Sequence, residues 1–320
     1  MFKNLTDIHI SVDAPDMSVT FPGPVLVTPQ LLGEVVPLLR RCQDANRVDF
    51  MIQHDGFCFR GRREDNGVDG VWFRLRKMAE EPPTLEGLPT KLPDAIYELI
   101  MAPELIAGGL ILVMGATGVG KTTTSSGIIV SRLKKYGGFA YTIEDPPEMP
   151  LTGWHPKLGP EQVLRGLCAQ NSLPLNASDP WGSALMGAQR SQPAGQRSML
   201  LIGEVRDKAC ALALLRAASN GFLVVATVFG MDICNGLQGL INQAGSDESN
   251  YNDLASSLRL VVHQRLENRR LRVSSLMCAS GTDPVANKIR SGQINQLKNE
   301  IEQQANQHFN KQKLSFSSGS

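Results

Sequence analysis

The chain has 320 residues, with 32 Lys and Arg against 31 Asp and Glu for a formal charge of +1. That length allows about two domains at the usual size of roughly 100 to 200 residues each, and it excludes a disulfide-stapled mini-protein. Near-neutrality supplies no general field to hold a polyanion, so no stable nucleic-acid complex is expected, and 42% hydrophobic with 20% charged residues excludes bulk disorder.

The N-terminal residues Met1 to His9 alternate polar and apolar side chains and lack the apolar core of a signal peptide. Pro29 to Gln43 carries apolar residues at helical spacing (Leu31, Leu32, Val35, Val36, Leu38, Leu39), with Thr28 as cap and Pro29 at the first helical position. Asp49 to Arg60 alternates around His54-Asp55-Gly56, a hairpin signal, and Val71 to Lys77 reads as another short strand. Residues 1–80 are therefore expected to form a small α+β domain, and the Pro- and Gly-containing stretch 81–91 a linker.

From residue 92 to 282 the rhythm changes to alternating strands and helices, which argues for an α/β domain with a parallel-rich sheet. Strands are expected at Leu110 to Met114, Phe139 to Ile143, Met199 to Ile202 and Phe222 to Val228, and helices at Thr122 to Lys135 and Lys208 to Ser219, with a hairpin over Val261 to Ser275. The longest apolar stretch, Leu105 to Met114, contains Gly108 and Gly109 and falls well short of the ~20 residues a spanning helix needs. Pro284 to about Phe309 reads as a polar amphipathic helix or helix pair, placed in a C-terminal helical segment 283–312, and 313–320 as a disordered Ser-rich tail. The cysteines Cys42, Cys58, Cys168, Cys210, Cys234 and Cys278 show no C-x-x-C pair and no His at ligand spacing, so they read as reduced, mostly buried hydrophobes. His263 and the other histidines read as structural or exposed.

The segment Gly115-Ala116-Thr117-Gly118-Val119-Gly120-Lys121-Thr122 matches the phosphate-loop pattern G-x-x-x-x-G-K-[ST] between an apolar strand and a helix, as the mechanism requires. Glycines let backbone N–H groups wrap phosphates, the helix N-terminus adds a positive dipole end, Lys121 reaches the outer phosphates and Thr122 places its hydroxyl on Mg²⁺. Gly115 through Thr123 are therefore the candidate nucleotide-binding residues, and ATP with Mg²⁺ the expected ligands. Leu200-Leu201-Ile202-Gly203-Glu204 ends an apolar strand on a carboxylate able to orient or deprotonate an attacking water. Ile143-Glu144-Asp145-Pro146-Pro147-Glu148 closes another strand with three carboxylates, a rigid acidic corner suited to Mg²⁺ and water.

These elements, in this order, resemble the bacterial secretion and pilus ATPase superfamily, the hexameric motors of type II secretion, type IV pili, type IV secretion and conjugation. Glu144, Asp145 and Glu148 match its aspartate box, and Glu204 in Leu-Ile-Gly-Glu-Val-Arg-Asp matches its Walker B. Leu185 to Pro193, with Arg190, Gln192 and Pro193 shifted by Ser191, is similar to another family segment. Thr282, Val285, Ile289, Arg290 and Gly292 match a C-terminal segment of the pilus branch.

The resemblance implies a RecA-like P-loop ATPase domain preceded by a PAS-like domain. It implies Glu204 and Glu144 as catalytic residues, Thr122, Glu144 and Asp145 as Mg²⁺ ligands, and Thr227 as sensor of the γ-phosphate. Arg74 and Arg76, which share one strand face by alternation, would reach the nucleotide from the first domain, with Arg60, Arg62 and Arg63 behind them. It also implies a homohexamer in the cytoplasm, peripheral to the inner membrane and working on a platform protein there. Two departures stand out: Gly153 to Gly195 is more divergent and richer in Trp and Pro (Trp154, Trp181, Pro174, Pro180) than the resemblance leads one to expect, and in Gly221-Phe222-Leu-Val-Val-Ala-Thr227-Val-Phe229-Gly230 both positions of the family's histidine box are Phe. The second departure keeps a nucleotide-gated assembly scaffold with weak or no hydrolysis as the alternative reading, and a nucleic-acid translocase on the same core fails on charge.

Overall fold

The computed structural model describes residues 2–156, 165–174, 176–268 and 270–317. The chain divides into two compact units, one of Met1–Pro82 with Asp145–Pro150, the other of Pro83–Glu144 with Leu151–Ser320.

The first unit is an antiparallel sheet backed by a helix. Its strands are β1 (Asp7–Ser11), β2 (Val19–Phe21), β3 (Val25–Leu26), β4 (Asp49–His54), β5 (Phe57–Asn66) and β6 (Gly70–Lys77), in the order β3-β2-β1-β6-β5-β4. The helix α1 (Pro29–Asp44) begins as its sequence directs, with the Thr28 side chain accepting from the Leu31 N–H. Its apolar stripe (Leu31, Val35, Leu38, Leu39) packs with Ile8, Ile10, Phe50, Phe59, Phe73 and Leu75 from one face of the sheet. Alternation therefore leaves Asp7, His9, Arg60, Arg62, Arg74 and Arg76 on the opposite face.

The second unit is a sheet of eight strands. In chain order these are β7 (Gly109–Gly115), β8 (Gly138–Ile143), β9 (Gly153–His155), β10 (Gly166–Ala169), β11 (Ser198–Glu204), β12 (Leu223–Phe229), β13 (Leu258–Glu267) and β14 (Arg270–Met277). Their spatial order is β14-β13-β7-β12-β11-β8-β10-β9. The six from β13 to β10 run parallel, and β14 and β9 close the edges antiparallel. β7 is buried along its whole length, as the central strand of a sheet covered on both sides must be. Leu110, Leu112 and Met114 join one core with residues of α4 (Pro180–Ser191), α5 (Lys208–Ser219), α6 (Ile233–Ala244), α7 (Glu248–Ser257) and α8 (Pro284–Arg290). The alternate residues Ile111 and Val113, equally buried, face the side covered by α3 (Lys121–Tyr136).

Two stretches differ from the sequence expectation. The Pro-rich stretch after Pro82 is not a free linker beyond its first residues: Leu85, Leu88 and Leu92 are buried, and the short helix α2 (Asp94–Ile100) follows. The apolar leucines between the prolines explain the docking. The C-terminal helix α9 (Leu297–Ser317) continues into the stretch expected as a tail, and residues 318–320 lie outside the described residues. No described helix is long and apolar enough to cross a membrane.

Candidate functional site

In a parallel sheet with helices on both faces, ligands bind beyond the carboxyl ends of the strands, and that edge of the second unit collects most of the residues singled out in the sequence. β7 ends at Gly115, whose φ is +149°. A Cβ there would lie 2.3 Å from the Gln264 carbonyl oxygen and 2.8 Å from Val119 Cγ2, so only glycine fits. Gly118 and Gly120 turn the loop at positive φ, and α3 starts directly after Gly120 with no side-chain cap, the arrangement in which a helix N-terminus serves as an anion site. Lys121 is 7% exposed, and its Nζ donates to the Ala116 carbonyl at 2.9 Å, closing the loop on itself. Thr117 and Gly118 form the exposed tip, while Thr122 and Thr123 are half-buried on the first turn of α3. The glycine cradle, the adjacent ammonium and the uncapped helix start fit a polyphosphate.

Glu144 follows β8 directly and is buried, accepting from Gln170 Nε2 at 2.9 Å. Its backbone is fixed at both ends, its N–H donating to Asn171 O and its carbonyl accepting from the Leu173 N–H. Glu204 ends β11 and accepts from Arg206 Nε at 2.8 Å. Between Ile202 and Glu204 the pairing of β11 with β12 shifts register, and Thr227 Oγ1 donates to the Gly203 carbonyl at 2.9 Å. A Cβ on Gly203 would lie 3.6 Å from Glu144 Cα, so the two carboxylates stand on neighbouring strand ends. Thr227 is buried, with Glu204 beside it on β11 and Val113 on β7. Among the described residues no group of three His, Cys, Asp or Glu side chains is arranged to hold a metal. A divalent cation here would draw its ligands from hydroxyl, water and phosphate oxygens as well as carboxylate, as Mg²⁺ at a nucleotide does.

Gln264 and Gln170 went unremarked in the sequence. Gln264 is fully buried on β13, in register with Gly115, and its Nε2 donates to Thr124 Oγ1 at 2.8 Å. Its neighbour His263 faces the other way, with Nε2 3.1 Å from the Gly230 carbonyl, and burial lowers its pKa.

The other candidates belong to the first unit. Asp145 is exposed and opens the segment Asp145–Pro150, in which Glu148 accepts from Arg60 Nη1 at 2.7 Å. On the outer face of the sheet Arg74 donates to Glu64 and lies 2.9 Å from His9 Nδ1, and Arg76 Nε donates to Asp7 Oδ1 at 2.8 Å. Arg62 pairs with Asp49 at 2.9 Å. The hydrogen bond from Arg74 holds the Glu64 carboxyl below its ordinary value, and burial together with the Arg74 charge lowers His9. Each of these arginines thus already has a partner.

The two phenylalanines at the histidine-box positions are not equivalent. Phe222 precedes β12, lies in the core at 1% exposure, and its carbonyl accepts from the Gly109 N–H at the amino end of the sheet. Phe229 ends β12 in register with Gly115 and is 52% exposed. At about 3.3 Å per residue the seven steps from Phe222 to Phe229 put about 23 Å between them, so of the two only Phe229 stands at the phosphate-loop edge.

Residues 75–314 match the family model described as "Type II/IV secretion system protein". The Escherichia coli K12 protein YggR is 31% identical over 239 residues, which cover 73% of this chain and 66% of that protein. The type IV pilus ATPase PilU of Pseudomonas aeruginosa PAO1 is 28% identical over 236 residues, covering 71% of this chain and 56% of PilU. The match thus spans just under two thirds of the one relative and little more than half of the other. Among solved structures, the pilus retraction motor PilT with bound ADP superposes with a TM-score of 0.67 at 23% identity, over 92% of this chain and 85% of PilT. The Legionella pneumophila ATPase DotB gives 0.67 at 20% identity, over 93% of this chain and 84% of DotB. A glycine-lined phosphate loop at the head of a parallel sheet, two glutamates on neighbouring strand ends and a family match over three quarters of the sequence lead to one assignment: the chain belongs to the type II/IV secretion system protein family.

Proposed function

We propose that the chain is an ATP-hydrolysing motor of a type IV pilus, conjugation or secretion machine. It would work as a homohexameric ring in the cytoplasm, against a platform protein of the inner membrane, with ATP and Mg²⁺ as its ligands. The observation that carries this reading is the meeting of the Gly115–Thr122 loop with Glu144, Glu204 and Thr227 at one edge of one sheet. Family membership supports it, since PilU is named a type IV pilus ATPase and PilT a pilus retraction motor.

In this reading Gly115 to Thr123 enclose the phosphates, and Lys121 exchanges the Ala116 carbonyl for the outer phosphate oxygens. Thr122, Glu144 and Asp145 would hold Mg²⁺, which would supply positive charge to stabilise the phosphoryl group in transfer. Glu204 orients or deprotonates the attacking water; Glu144, buried and held by Gln170, keeps its carboxylate in one orientation for the same task. Thr227 senses the γ-phosphate. The domain of residues 1–80 supplies Arg74 and Arg76 to the phosphates, where the planar guanidinium suits phosphate oxygens.

Phosphate release by the full chain tests this. Mg²⁺-dependent turnover is expected in the parent, none in Lys121→Ala, and none in Glu204→Gln although that variant still binds ATP. Turnover near the parent's in Lys121→Ala would overturn the assignment. The exposed Phe229 at the loop edge favours one second reading, a nucleotide-gated scaffold, which predicts ATP binding without phosphate release by the parent itself.

A further inference from the structure

Gln264 touches both ends of the phosphate loop. Its backbone carbonyl forms the wall against which Gly115 must be glycine, at 2.3 Å from where a Cβ would stand. Its side chain donates to Thr124, whose own N–H donates to the Gly120 carbonyl at 3.0 Å and so begins the helix that leaves the loop. One residue of β13 therefore meets the entrance of the loop at residue 115 and its exit at residues 120–124.

The chemistry of that contact argues against a purely structural role. Gln264 has no exposed surface, and its Oε1 is buried with no hydrogen-bond partner. A buried amide acceptor left unpaired costs about 1–3 kcal/mol, which a leucine of similar size would avoid. The hydroxyl of Thr124 could meanwhile turn to a backbone carbonyl one turn earlier in its own helix. Stability alone is better served by an apolar residue at 264, so the amide is explained by what it holds.

We infer that Gln264 is a positioning residue for nucleotide binding, clamping the first turn of α3 through Thr124 so that Lys121 and Thr122 meet the phosphates in one fixed geometry. This rests on the reading of the loop as a nucleotide site.

The test uses the full chain, a fluorescent methylanthraniloyl-ATP as probe, and thermal unfolding without nucleotide. Gln264→Leu is expected to unfold at or above the parent's temperature while its Kd for the probe rises at least about fivefold. Thr124→Val should raise Kd by a similar factor, and the double variant should bind no more weakly than either single one, because both act through one contact. Gln264→Met, which keeps the length without the amide, should behave as Gln264→Leu and serves if the latter fails to fold. A Kd within twofold of the parent's in a folded position-264 variant would overturn the inference, as would a weakening that appears only with a lowered unfolding temperature or that adds fully in the double variant. Failure of the underlying reading looks different: neither the parent nor Lys121→Ala would then differ in probe binding.

Discussion

Exchanging each phenylalanine of the segment Gly221 to Gly230 for histidine separates two positions that the sequence presents as a pair. Phe222 is 1% exposed in the core of the second unit, so Phe222→His puts an imidazole into a buried apolar cluster, where neither nitrogen is assured a partner. Removing a buried aromatic side chain costs about 3–5 kcal/mol when it is cut to alanine; histidine keeps part of the volume but adds a buried polar group at about 1–3 kcal/mol. A loss of about 2–4 kcal/mol is therefore expected, which lowers the unfolding temperature by roughly 5–15 °C for a unit of this size. Phe229 is 52% exposed, and Phe229→His should change stability by no more than about 0.5 kcal/mol. Its effect belongs to turnover, because it puts a hydrogen-bonding, titratable group in register with Gly115. One hydrogen bond made in the transition state and worth ~1.4 kcal/mol is tenfold in rate. Thermal unfolding and phosphate release measured on the two variants check both halves. A Phe222→His protein that keeps its unfolding temperature but changes its kcat, or a Phe229→His protein destabilised as much as Phe222→His, would refute the separation of the two positions.

Arg74→Ala and Arg76→Ala should each lower kcat at least about tenfold with ATP affinity within a few fold, the pattern of a group acting in the transition state. Stability should move by less than about 1 kcal/mol, because both arginines sit in exposed pairs; unchanged kcat in both returns them to a solvated face. Arg74→Ala should also raise the pKa of His9, read by NMR titration, since the Arg74 charge helps to hold it down. His9 and His263 both lie below the ordinary value of 6.5 in the folded chain. The unfolded chain then binds more protons as the pH drops, so the stability they contribute is present above pH 6.5 and lost as the pH falls through their folded values. The urea midpoint should be lower at pH 5.5 than at 7.5, and His263→Gln should flatten that difference.

Many elements of both units were legible because their signals are local. β7, β8, β11 and β12 are short apolar runs closed by Gly or carboxylate residues, and α1 and α5 announce their starts with Thr28 and Asp207, both of which accept from the third residue on. The hairpin of β4 and β5 turns at Asp55 and Gly56, both at positive φ, as the dipeptide suggests. α4 and α6 carried comparable caps, Asp179 and Asp232, but their Gly and Gln content blurs the apolar period. The inner pairings could not be read at all. Gln264 and Thr124 are separated by 140 positions, Gln170 and Glu144 by 26, and no local pattern records a partner at that range. Likewise, alternation identified the outward face of β6, but the engagement of Arg74 and Arg76 by Glu64, His9 and Asp7 depends on β1 and β5 flanking it.

The stretch read as a linker shows how composition misleads when it is taken without its apolar residues. Pro82, Pro83 and Gly87 signal a break, yet Leu85 is buried against α3, where a Cβ on Gly127 would lie 3.4 Å from its backbone nitrogen. The Leu85 N–H donates to Ser131 Oγ at 2.9 Å, and Glu86 accepts from Ser131 Oγ at 3.0 Å and from Tyr97 Oη at 2.6 Å. α3 therefore carries Lys121 and Thr122 at one end and, ten residues on, the anchor of the chain segment that enters the second unit. At about 1.5 Å of rise per residue these lie about 15 Å apart on one rigid helix. Within the second unit, α3 thus ties the phosphate loop at its first turn to Leu85 and Glu86 through Ser131, a connection that Pro and Gly content alone conceals.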